Sequence, residues 1–247
     1  MNNLLDIEEP FVMTEVAMIS DIFSFGEDLI EEGALDTIVT KVSDFFQKAV
    51  NSMSAFIKTF RSDLTATIEK KRCKAKLKKL KEELKMQKNS GVKYVGMIDH
   101  DKFIKAYELG SKRMVKILKK ITEKKYKSRS SLNTAMDEFT ASMEDMNDLL
   151  ESSMKNRIKT PIDQAILYVE KNLNGQSRVE KRFIEVTREL RELGIQSEKI
   201  FKNTNLSEDK EVLHQKVSII RTIVTKITST LSRWIRRFIM TVVFFFA

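Results

Sequence analysis

The sequence predicts an all-α protein: an elongated helical bundle or coiled-coil-like array of about six helices, with one short irregular break near residues 89–98. Three observations predict it. The 247 residues include only 2 Pro and 7 Gly, too few turn formers for an α/β domain of that length. Apolar residues recur at helical spacing along most of the chain. Several of these stripes keep alternating steps of four and three residues, the rhythm of helices that pack side by side.

Pro10 is a good first helical residue, and Phe11, Val12, Val16, Ile19, Phe23 and Ile30 continue from it at helical spacing up to Gly33. A second, long helix is expected from Leu35 to Gln87. Its first half carries a broad apolar stripe through Ile38, Val42, Phe45, Ala49, Phe56 and Phe60. Past Ile68 it becomes almost wholly charged, leaving a narrow stripe of Leu77, Leu80 and Leu84. The segment "NSGVKYVGM" at 89–97 then breaks the pattern with Gly91 and Gly96 around a β-prone stretch, which predicts a turn and room for a very short strand.

Asp99 is placed to cap the next helix, whose stripe is Phe103, Tyr107, Met114, Leu118 and Ile121. "SRSS" at 128–131 supplies another cap, followed by Leu132, Met136, Phe139, Met143, Met146 and Leu150 in heptad rhythm. Pro161 restarts the chain and Asn174-Gly175 interrupts it. Val179, Phe183, Val186, Leu190 and Leu193 repeat the rhythm, and Gly194 is expected to stop it. The last helix begins near Ser207 and carries the longest seam: Leu213, Val217, Ile220, Val224, Ile227, Leu231, Trp234 and Phe238. These eight positions are read as an oligomer seam. The chain divides into residues 1–88, an acidic helix and a long helix with a basic end; 89–160, basic then acidic heptad helices; and 161–247, helices ending in an apolar tail.

Charge is distributed in blocks. Residues 1–63 hold 4 Lys/Arg against 12 Asp/Glu, and residues 64–129 hold 22 against 7. Residues 130–170 are acidic again, with 3 against 8, and residues 171–247 are basic, with 15 against 8. Alternating blocks let a chain fold back on itself or stack on copies of itself, and they set partner choice and register more than fold. A basic patch is assigned to Lys74, Lys78, Lys81, Lys85, Lys116 and Lys120. It suits the phosphates of nucleic acid without regard to sequence, because Lys outnumbers Arg and no aromatic residues interleave for base stacking. A solvated face opposed to the acidic blocks is the plainer reading.

Little in the sequence points to catalysis. The glycines are scattered, so there is no phosphate-binding loop. In "DHD" at 99–101, neighbouring helical residues diverge by about 100°, so three in a row do not close on one ion. Asp99 and Asp101 are explained by the helix N-terminus. Cys73 is the single cysteine, which excludes an internal disulfide, and it has no orienting base near it in sequence. No catalytic, cofactor or metal residue is assigned. The acidic start lacks the basic region of a signal peptide, so synthesis inside the cell is expected, followed by association with a particle or membrane.

The tail "FIMTVVFFFA" reaches about 15 Å as a helix, half of the roughly 30 Å hydrocarbon core of a bilayer. Arg233, Arg236 and Arg237 just upstream would each cost about 2.5–3.5 kcal/mol at the bilayer centre. Spanning is therefore not expected. Two placements remain: an interfacial helix with Trp234 and the arginines at headgroup level above Phe238, Phe244, Phe245 and Phe246, or burial against a partner helix. The expected function is that of a non-enzymatic structural component of a larger helix-mediated assembly, of the virion or secretion and injection kind. Its partners would be copies of itself or other helical subunits. The alternatives are a membrane-active helical protein and a sequence-independent nucleic-acid binder. No cofactor is expected.

Overall fold

Local signals in the sequence cap two of the helices as expected. The computed structural model describes residues 35–61, 68–174, 177–204, 210–240 and 245–246. Among these are seven helices: α1 (Leu35–Arg61), α2 (Ile68–Asn89), α3 (His100–Glu123), α4 (Arg129–Lys155), α5 (Ile162–Leu173), α6 (Arg178–Thr204) and α7 (Lys210–Met240). Asp99 caps α3, its carboxylate accepting a hydrogen bond from the Lys102 amide. Ser128 caps α4 in the same way, accepting from Ser131. At the end of α2, Gly91 takes φ +86°, and the Val92 amide donates back to the Gln87 carbonyl. That left-handed step is open to glycine at no steric cost, and it turns the chain into the break. The fold is all-α, as the scarcity of turn residues predicts. The helix expected at 11–33 lies outside the described residues.

Three short strands accompany the helices: β1 (Tyr94–Ile98), β2 (Arg157–Pro161) and β3 (Phe245–Phe246). β1 is central and antiparallel to both neighbours, with Gly96 opposite Lys159 on one side and Phe245 on the other. Pro161 closes the edge strand β2, a position at which its missing donor costs no ladder bond.

α1 packs along α6, and α3 packs along α4 and α6. α2 packs on α5 and α7. α7 also lies against α1, α3 and α4. One apolar core joins them, from Val42, Phe46 and Met53 of α1 to Trp234, Ile235 and Phe238 of α7. Two glycines permit the closest helix contacts. A Cβ on Gly110 of α3 would run into the Met146 side chain of α4, and one on Gly194 of α6 would lie 2.7 Å from Cβ of Phe46.

Gly194 corrects one expectation. It does not stop a helix, because α6 continues through it to Thr204. The glycine makes room for Phe46 instead, and that packing outweighs the roughly 1 kcal/mol propensity cost of glycine inside a helix. The single helix expected from Leu35 to Gln87 is described as α1 and α2, which pack on different partners; residues 62–67 between them lie outside the described residues.

Candidate functional site

The seam residues of α7 lie inside the chain's own core. Leu213, Val217, Ile220, Val224, Ile227, Leu231, Trp234 and Phe238 are all buried, none more than 3% exposed. The helix that carries them packs on α1, α2, α3, α4 and α6 of the same chain. The heptad rhythm of α7 therefore marks a core-facing stripe that is covered within the chain itself.

The tail is tied in at several points. Trp234 donates from Nε1 to Oδ1 of Asn147 at 2.6 Å, and the Arg237 guanidinium lies over its ring while reaching Glu151 at 3.3 Å. Arg236 is nearly buried, over the Phe56 ring at 5.1 Å. Phe238 stacks on Phe103 with centroids 4.5 Å apart. Arg233 is exposed. Past α7, Phe245 and Phe246 pair with β1 as β3, so the helix does not continue to its end as the interfacial reading requires. Phe244 lies outside the described residues. Among the described residues no helix is long and apolar enough to cross a membrane.

The basic patch divides between two helices with different neighbours. On α2, Lys78 and Lys85 are exposed, while Lys81 pairs with Glu170 of α5 at 2.9 Å and holds that carboxyl below its usual range. Lys74 belongs to α2 by its backbone. On α3, Lys116 is exposed and Lys120 bridges to Glu138 of α4 at 3.2 Å.

Sequence reasoning missed the buried polar groups. Lys216 of α7 is 1% exposed, and its ammonium donates to the Lys124 carbonyl at 2.9 Å. It sits over the rings of Phe201 and Tyr126, at 5.1 and 5.9 Å. Arg182 of α6 is also buried, donating to Ser111 Oγ at 2.8 Å and to Glu189 at 2.7 Å. The Tyr107 hydroxyl donates to the Leu231 carbonyl, and burial pushes its pKa well above the usual range. Each of these groups joins two helices. No signal in the sequence marks Lys216 or Arg182, since exposed lysines and arginines share the same spacing, whereas Tyr107 stands on the stripe the sequence shows.

His100, at the first turn of α3, is only half satisfied. Its ring stacks on Tyr168 at 4.4 Å and meets the edge of Phe238 at 5.1 Å. Nδ1 lies 3.2 Å from the Ile98 carbonyl, and Nε2 is buried with no hydrogen-bond partner. Burial pulls the pKa down from 6.5 to about 4, against the Ile98 hydrogen bond and the nearby Asp101 and Asp99, which all raise it. The fold thus favours the neutral ring. Its contribution is whole above pH 6.5 and is lost as pH falls towards 4. Between pH 7 and pH 5 the loss is expected to reach about 2 kcal/mol. Urea midpoints at the two pH values, with and without His100→Phe, measure it. An equal fall in both proteins would clear His100 of the effect.

The outer side of the α3/α4 hairpin is a polar surface that packing leaves open. α3 presents Lys105, Leu109, Lys112 and Lys116, all exposed. α4 presents Ala141, Asp145, Asp148 and Leu149, also exposed. Arg113–Asp145 at 3.3 Å and Lys120–Glu138 bridge the groove between the helices. Among the described residues Lys112, Lys116 and Asp148 form no ion pair. Among the described residues no group of acids, histidines or cysteines is placed to hold a metal ion. Comparison of the chain with protein-family models, with curated proteins and with solved structures finds no match.

Proposed function

We propose that the chain is a non-catalytic structural component that works by helix-mediated assembly. The observation that carries this reading is the segregation of charge on the α3/α4 hairpin, lysines along one helix and carboxylates along the next, both open to solvent. Opposed stripes of this kind steer and register a helical partner, at modest cost to the fold's own stability. The buried polar groups support it too. Lys216, Arg182, Tyr107 and Trp234 all tie one helix to another, a use that serves rigidity.

Light scattering on the purified chain at low salt, alone and then with duplex DNA or anionic vesicles, tests the reading. The expected mass is a multiple of one chain without any addition. A single-chain mass that rises only when DNA is added would favour the sequence-independent nucleic-acid reading, and one that rises only with vesicles would favour the membrane reading.

A further inference from the structure

We propose that the α3/α4 face binds a second copy of this chain, in a two-fold dimer that lays the lysine row of each copy over the acidic row of the other. The proposal rests on the assembly reading above and names its partner and surface.

The register of the hairpin is set by Gly110 against Met146, by Arg113 with Asp145 and by Lys120 with Glu138. The helices are antiparallel, so Leu109 and Leu149 stand within one turn of each other along the hairpin. They are 68% and 48% exposed, among the most exposed large apolar side chains described. Lys112 stands level with Asp145, and Lys116 lies one turn further along α3, towards Lys120.

Two copies laid face to face can be related by a two-fold axis across the helices or along them. An axis across them places α3 on α3 and lysine on lysine. An axis along them places α3 on the partner's α4, antiparallel, and keeps every residue at its own height. Lys112 then faces Asp145 of the second copy, and Leu109 lies beside its Leu149 and Asp148. The contact is self-complementary and closes at two chains, as an isologous interface must. A two-helix face about 36 Å long and about 20 Å wide covers roughly 700 Å² per copy, near the roughly 800 Å² of a standard specific interface. The apolar centre and charged rim match the usual anatomy of such interfaces.

The test exchanges the charges. One variant carries Lys112→Glu and Lys116→Glu, so that both rows are acidic. The other carries Asp145→Lys and Asp148→Lys, so that both are basic. All four positions are exposed, and circular dichroism should give both variants the wild-type helix content. At low salt the wild type is expected as a dimer, and each variant alone at single-chain mass. An equimolar mixture of the two should restore the dimer, because each acidic face then meets a basic one. Raising salt from about 0.05 to about 0.5 M should weaken wild-type dimerisation about tenfold or more. Variants that stay associated when separate would overturn this surface while leaving the assembly reading in place. A wild type at single-chain mass overturns the proposal, whether or not its lysine row then takes up DNA.

Discussion

Replacing Ile220 and Ile227 together by Asp is expected to abolish the fold. Both side chains are fully buried, one heptad apart, where α7 meets the core. Each substitution forfeits about 1.5–3 kcal/mol of apolar burial. Each also leaves a carboxyl in an apolar site, which costs several kcal/mol whether it is ionised there or stays protonated. The sum of about 8 kcal/mol or more falls within or above the roughly 5–15 kcal/mol that hold a domain together. Circular dichroism at 222 nm and a urea titration measure the result. The expected outcome is loss of the cooperative transition, with Ser218→Asp, on the exposed side of the same helix, close to wild type. If the double variant kept its helix content and its transition while only its mass in solution fell, α7 would be an interface between chains and the account of the core would be wrong.

Lys216→Ala should be the most costly single substitution of a charged residue in this protein. The Lys216 stem crosses the core, and its ammonium meets the Lys124 carbonyl just past the last turn of α3. Carbonyls at a helix end lack partners within the helix, and a cation placed there also favours the helix dipole. Truncation removes that charge-assisted bond, worth about 1.5–3 kcal/mol. It also leaves a cavity between Phe201 and Tyr126, so a total of about 3–5 kcal/mol is expected. Lys216→Met loses the same bond but keeps most of the volume and removes the desolvation cost of a buried charge. Methionine should therefore recover at least about half of the loss. Equal losses for the two variants would mean that the charge, not the packing, is what the site needs. An alanine variant within about 1 kcal/mol of wild type would mean that Lys216 reaches solvent.

The features legible in the sequence are the local ones. Asp99 and Ser128 cap their helices because a cap depends on a few neighbouring residues. The stripes along α4 and α7 mark the buried side correctly, because periodicity records which side faces apolar surroundings. It does not record what covers that side. The α7 stripe therefore reads as a seam for a partner chain, although α7 packs on five helices of its own chain. The break at 89–97 was visible, including room for a short strand. Its neighbours β2 and β3 were not, since "RIKTP" and "FF" are too short to show any period. Gly194 carried the signal of a helix end, but its role depends on Phe46, remote in sequence. The two charge blocks that form the candidate surface were plain from composition. Only the fold shows that they lie on adjacent antiparallel helices with Leu109 and Leu149 at one height.

The most direct test of the whole account follows the fluorescence of Trp234 and the mass of the protein in the same sample as salt is raised. Trp234 is the single tryptophan and is 3% exposed in the chain's own core. If α7 is internal and copies meet through α3 and α4, the mass should fall with salt while the emission stays blue. Anionic vesicles added at low salt should leave the emission unchanged. An emission that turned red in step with the fall in mass would place the α7 seam between chains, and a blue shift on adding vesicles would place the tail at a membrane; either result would contradict the account.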